Sequence, residues 1–319
     1  MLKLIFYRFL QGAFILLIIS VLVFALLAST GADAITSLQN NQQTSEETLA
    51  TLRHIYGLDR SLPLRYADWL SEVFRGNLGQ SIYFQTPVGS ILWPRLIKTA
   101  ELAFCALFIA LLFAFTLGLV AARRADSWAD RICDAIVLLA ASSPRLVLAI
   151  LALSIIARTA LFKLAGATNS TMGSSFGIWL FQLLPPALIL SVPLIAVLLA
   201  QTRTAVAATL ETEFVRTARA KGLPERMILQ RHALRPALNP LITTVGYSIG
   251  GLISGSVVVE QVMNWPGLGQ LSVIAVQSRD VALLMGIVLV TSAAVLIGNL
   301  AADILLRLND PRLRKDTSL

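Results

Sequence analysis

Six stretches of the chain, residues 9–30, 99–121, 134–156, 180–201, 240–260 and 283–305, are each long and apolar enough to cross a bilayer as a helix. About 20 residues rising ~1.5 Å each cover the ~30 Å of a hydrocarbon core. A soluble fold is excluded by composition, since only 14% of residues are charged and 56% are hydrophobic, whereas soluble chains carry roughly 25% charged residues. The expected fold is an all-α integral membrane protein with six transmembrane helices. The first run follows Lys3 and Arg8 and ends near Ala32-Asp33-Ala34, as a cleaved signal would. Its length favours an uncleaved span.

The charges orient these spans. With the N-terminus on the inner side, sixteen basic residues fall inside: Lys3 and Arg8, Arg123, Arg124 and Arg131, seven between Arg203 and Arg235, and Arg307, Arg312, Arg314 and Lys315. The two short outer loops then hold only Arg158, Lys163 and Arg279. Both termini are expected to be cytoplasmic. The net charge of +8 is thereby a topology signal for a protein whose partner is the lipid bilayer, and no nucleic acid is expected.

Several chemistries are excluded. Two cysteines, Cys105 and Cys133, and two histidines, His54 and His232, are too few for a disulfide framework or a cysteine/histidine metal site. Residues 173–177, Gly-Ser-Ser-Phe-Gly, match a serine-hydrolase pattern but lack a suitable histidine. None of the five lysines follows a glycine, so no phosphate-binding loop can form. No catalytic residue, metal or cofactor is expected.

Two long polar connections need a separate reason to exist. In the outer one, Thr44 and Glu47 have capping-box spacing before a helix ended by Gly57, and a second helix after Pro63 carries Tyr66, Trp69, Leu70 and Phe74 as far as Gly76. This platform either packs over helix ends or docks an external partner through Tyr66 and Trp69. In the inner connection, 201–239, Leu210, Phe214 and Ala218 are spaced four apart with Arg216 and Arg219 beside them, and Gly222 stops the run. Pro224 and Glu225 suit the first turn of another helix. A solvated charged hairpin is the plain alternative.

The segment EFVRTARAKGLPERMILQRHALRPALNP resembles the signature loop of ABC importer permeases, on Glu213, Ala218 to Gly222, and Pro240. GLD with RYADWL, GNLGQS, EQVMNWPGLG, SRD and the terminal DPR resemble the dipeptide, oligopeptide and nickel branch, and the likeness covers nearly the whole chain. Departures are Asn77 where Asp is usual, Ala32-Asp33 for Asp-Pro, and Pro236 for Asn.

The resemblance implies a type I importer permease fold: an N-terminal span (1–30), an external helical segment (31–94), a five-span core (95–306) containing an ATPase-coupling loop (202–239), and a cytoplasmic tail (307–319). It implies a bacterial inner-membrane location and an importer of peptides or of nickel or a metal chelate. The partners would be a second homologous permease subunit, two ABC ATPase subunits and an extracytoplasmic solute-binding protein. Glu213, Phe214, Arg216, Ala218, Arg219 and Gly222 would couple to the ATPase.

Arg145, directly after Pro144, is the one basic residue deep in a span. It either pairs with a carboxylate such as Glu101 or Glu260, or lines the substrate pathway. An ion-coupled secondary transporter is a rival class, disfavoured because acids lie only near span ends. A membrane scaffold or receptor without transport is another.

Overall fold

A computed structural model describes residues 2–29, 61–123, 127–158 and 176–310. The expected helix between Thr44 and Gly57 and the glycine-serine motif at 173–175 lie outside the described residues. The elements are α1 (Leu2–Ser29), α2 (Leu62–Phe74), α3 (Val88–Arg123), α4 (Trp128–Ser142), α5 (Arg145–Ala157), α6 (Phe176–Leu210), α7 (Glu213–Ala220) and α8 (Glu225–Met227). A π-helical stretch (Ile228–Ala233) follows, then α9 (Leu234–Val262), α10 (Leu268–Gln277) and α11 (Val281–Asn309). Among the described residues no strand is present beyond an isolated bridge between Gln80 and Pro87. The fold is all-helical, as expected.

Five helices, α1, α3, α6, α9 and α11, are individually long and apolar enough to cross a membrane, and the α4 and α5 pair makes six if counted as one bent span. The expected continuous third span at 134–156 is corrected here. Ser143 is extended (φ −85°, ψ 114°), the conformation that a following proline imposes, and Pro144 supplies no N–H to continue the ladder. The two helices meet at 97°. Arg145 therefore opens a new helix at a break instead of riding mid-helix.

The chain divides into two compact units, one of residues 100–265 and 297–319, the other of 2–99 and 266–296. In the first, Leu102, Ala106, Ala110 and Ala114 form an i, i+4 ladder on α3 that is fully buried with Leu190, Leu198 and Leu199 of α6. Small residues permit this closeness. A Cβ on Gly118 would strike Thr202, one on Gly246 would strike Ala302, and one on Gly298 would strike Ile249. Membrane helices lack a hydrophobic drive to associate, so such backbone approach supplies the packing energy. Arg203 of α6 ties down α4 through Asp130 at 2.8 Å and through Asp134.

The second unit joins α1, α2, α10, the start of α3 and the start of α11. Val88, Leu92, Leu268, Leu271, Ala275 and Leu283 form its core. Asp280, 1% exposed, is its polar centre. It accepts from Ser81 Oγ (2.6 Å), Tyr83 N (3.1 Å) and, as the cap of α11, Leu283 N (3.1 Å). The GNLGQS and SRD segments, far apart in sequence, thus meet in one hydrogen bond. Asn77, the departure noted above, donates to Glu72 Oε2 (2.9 Å) and accepts from Gly79 N (3.0 Å), so its amide uses both functions where a carboxylate could only accept.

Asp280→Ala should destabilise this unit by about 3 kcal/mol, through loss of a cap and of bonds to a buried carboxylate. The measurement is the thermal midpoint of the detergent-purified chain. Asp280→Asn should lower it less, and an unchanged midpoint for the alanine variant would show that the carboxylate ties nothing together.

Candidate functional site

The hairpin at 201–239 holds most of the residues singled out above, and all of it lies in the first unit. α6 runs out at Leu210. Thr212 breaks the helix by bonding its hydroxyl back to Thr209 O (2.5 Å), so α7 begins without a side-chain cap and Glu213 alone faces the positive end of its dipole. This break corrects the expected face. Leu210 belongs to a different helix from Phe214, so their spacing of four does not align them. Val215 and Ala218 are the buried pair of α7, packed on Ile228 with Leu210 and Leu223 at the edge. Phe214 is 47% exposed.

α7 ends in a Schellman motif. Gly222 N donates to Arg219 O (2.9 Å) and Leu223 N to Ala218 O (3.3 Å), with Gly222 at φ +75°. A Cβ on Gly222 would meet nothing within 4 Å, so the demand for glycine is one of backbone conformation and not of space. Pro224, expected in the first turn, takes the N-cap position one residue earlier, and Glu225 opens α8. The π-helical stretch that follows buries Ile228, Leu229 and Ala233 and runs without a break into α9. π segments are rare and concentrate at functional sites; nothing in the composition of ILQRHA announced this one.

Two ion pairs set the chemistry of the hairpin. Arg216 bonds Glu213 along α7 (2.8 Å), and both side chains are well exposed. Arg219 bonds Glu225 through Nε (2.7 Å) and Nη2 (3.3 Å), a two-pronged link across the glycine turn. The hydrogen bond from Arg219 holds the Glu225 carboxyl below its ordinary range, and the same bond raises the Arg219 guanidinium. Sequence reasoning assigned Glu225 only to a helix dipole; six residues of separation become adjacent because the turn folds back. A cavity of about 430 Å³ lies behind this link, lined by Arg123, Leu210, Arg219, Glu225, Arg226 and Leu229.

The hairpin thus presents Glu213, Phe214 and Arg216 outward from a helix whose other face is packed on the π segment and the end of α6. An exposed aromatic ring between charges is the composition of a docking surface.

The remaining candidates are placed differently. Tyr66 and Trp69 are half-buried on α2, and Tyr66 turns toward α1. Tyr66 Oη shares a 2.7 Å hydrogen bond with Ser20, and its ring lies 5.4 Å from Phe24 and 5.9 Å from Trp69. The exposed apolar residues of α2 are Leu62, Leu64 and Phe74, the last 83% exposed. Arg145 contacts α9 at Gly255, where an added Cβ would fall on its guanidinium. Neither expected carboxylate engages it: Glu101 accepts from Trp179 Nε1 at 3.1 Å, Glu260 is fully buried, and Arg145 has no hydrogen bond or ion pair among the described residues. Both cysteines are free thiols, and among the described residues no group of three metal-ligating side chains occurs.

Comparison with known proteins adds an independent line. Residues 114–315 match the binding-protein-dependent transport system inner membrane component, and residues 1–103 match the N-terminal region of the membrane components of such systems. A Brucella ovis protein provisionally named a peptide permease is 35% identical over 318 residues, 98% of this chain and 99% of its own length. The glutathione transport system permease protein of Pectobacterium atrosepticum is 33% identical over 94% of both chains. A Sinorhizobium fredii protein provisionally named a peptide ABC transporter permease is 30% identical over 94% of this chain and 95% of its own.

The Arg219 to Glu225 link generates a test. Its contribution is present at neutral pH and is lost as pH falls through the depressed Glu225 pKa, below the usual carboxylate range. Glu225→Gln should mimic that loss at neutral pH, raising the rate of tryptic cleavage at Lys221 by about two- to threefold, the scale of an exposed pair. Cleavage at the unmodified rate would show that the turn holds without the link.

Proposed function

The chain belongs to the inner membrane component family of binding-protein-dependent transport systems and is a multi-pass ABC importer permease rather than an enzyme; from that premise we propose that it forms half of a pathway importing peptides, driven by ATP hydrolysis in separate subunits. The observation that carries the coupling half is α7, an outward-facing Phe214 between Glu213 and Arg216 on a helix anchored through Val215 and Ala218. A groove of an ATPase subunit receives that face on the cytoplasmic side, where both chain termini also lie. Closure of the ATPases displaces α7, and the continuous π segment and α9 carry the displacement into the spans.

A second homologous permease subunit completes the pathway, two ATPase subunits power it, and a solute-binding protein delivers cargo from outside. Peptide cargo follows from the relatives named for peptides and for glutathione, itself a tripeptide. Those names favour peptides over the nickel or metal chelates that the sequence left open. The binding protein docks on the side of α2 that bears Leu64 and Phe74, since Tyr66 is occupied by α1 and Trp69 lies against Tyr66.

Two experiments follow. In the assembled complex in proteoliposomes, Gly222→Val should reduce ATP-driven peptide uptake about tenfold or more, because a β-branched residue at positive φ is strained by ~1–2 kcal/mol or more. Gly222→Asn, which tolerates this conformation, should retain most uptake. Equal uptake in all three would remove the hairpin from the coupling path. Separately, a photo-reactive probe on a cysteine at Phe74 should crosslink to the binding protein, and one at Tyr66 should not. The reverse pattern would place the docking face on the aromatic side of α2.

A further inference from the structure

A cation without a partner at a break in a membrane span needs an explanation. Arg145 stands at the first residue of α5, after the 97° bend, where the positive end of its own helix dipole cannot neutralise it. Its guanidinium is charged at any physiological pH and presents a planar fork of donors. The nearby Ser142 and Ser143 hydroxyls donate to Leu138 O (2.8 Å) and Leu139 O (2.6 Å) and make no hydrogen bond with it. Burial of an unpaired charge in hydrocarbon is untenable, so this side chain faces water or a ligand.

The surface beside it has the matching character. On α9, Tyr247, Gly251, Ser254 and Val258 are exposed and fall three or four residues apart, which places them in one stripe. Tyr247 is 75% exposed, and a Cβ on Gly251 would meet open space. The middle of α1 shows what a purely apolar surface of this chain looks like: between Ala13 and Leu26 every exposed residue is apolar, Phe14, Leu17, Leu22 and Leu26 among them. A phenol, a glycine and a hydroxyl on the α9 stripe are unsuited to that role. Gly255, one residue beyond Ser254, gives the Arg145 guanidinium its seat at the edge of the stripe.

We infer that Arg145, seated on Gly255 beside the Tyr247–Gly251–Ser254 face of α9, is a specificity-determining residue of the translocation path that recognises a carboxylate of the passing cargo. The inference rests on the import reading above and names the chemical group that the path selects. A guanidinium meets a carboxylate in a two-pronged, charge-assisted bond, and a transient partner of this kind suits a path that must release what it binds.

Two readouts separate failure of this inference from failure of the peptide reading. The first needs no cargo. With Cys105 and Cys133 replaced by Ala, Ser254→Cys in the assembled complex is labelled by an anionic and by a cationic methanethiosulfonate. Normalised to free cysteine, the anionic reagent should be favoured about fivefold beside an unpaired guanidinium, and Arg145→Met should abolish the preference. No preference in the Arg145 background would overturn the inference by showing the charge neutralised, as would failure of Arg145→Met to assemble.

The second readout is uptake of a pool of di- and tripeptides against the same pool amidated at the C-terminus, with saturating binding protein. The ratio of free to amidated uptake should fall about tenfold or more in Arg145→Met relative to the unmodified chain, the binding protein's own preference cancelling between them. An unchanged ratio overturns carboxylate recognition. If neither pool enters in the unmodified complex, the peptide reading fails, and the thiol preference alone decides Arg145.

Discussion

A helix inside a bilayer must keep its backbone donors and acceptors paired, because no water is there to replace a lost partner. Each departure from helix in this chain follows from how that requirement is met. At Pro144 the ladder stops, the chain turns by 97°, and Arg145 arrives at the corner. At Gly76, Gly222, Asn264 and Arg279 a left-handed residue closes a helix end, and in each case the following N–H reaches back to the last turn: Asn77 to Glu72, Leu223 to Ala218, Trp265 to Glu260 and Asp280 to Ala275. Free carbonyls are thereby covered where helices must end.

The same solvent removes the ordinary drive for helices to pack, and the chain substitutes close approach and a few polar ties. Glycines at 118, 246 and 298 admit neighbouring side chains or backbone to within a contact that a Cβ would forbid. The polar ties sit at helix ends, where they are least costly. Arg203 holds Asp130 and Asp134; Asn309 bonds Arg235 O (2.9 Å) and Asn239 Oδ1 (2.7 Å), joining the end of α11 to the start of α9. That second tie links the helix that continues from the hairpin to the last membrane-spanning helix.

The inner hairpin combines rigidity and exposure within a few residues. Val215 and Ala218 have no freedom in the core, while Phe214 and Arg216 on the same helix face outward. The Schellman turn at Gly222 and the Arg219 to Glu225 link keep its two arms at a fixed angle, and the π segment removes any joint between the hairpin and α9.

Span number, all-helical class, the position of the hairpin and its glycine stop were legible in the sequence, since they depend on local quantities: apolar length, a left-handed requirement, a proline at a helix start. Family signatures carried the permease assignment for the same reason. Tertiary structure decided what depends on where helices break and which faces meet. A spacing of four placed Phe214 with Leu210 only on the assumption of one helix, and the break at Thr212 exchanged the buried face for Val215 and Ala218. Tyr66 stood open between packing and docking until Ser20 and Phe24 lay against it, and Glu225 had no partner until the turn brought Arg219 back. Arg145 read as a mid-span charge awaiting Glu101 or Glu260; the bend at Pro144 set it on Gly255 instead, because a side chain's partner is fixed by the path of the backbone through space and not by its distance along the chain.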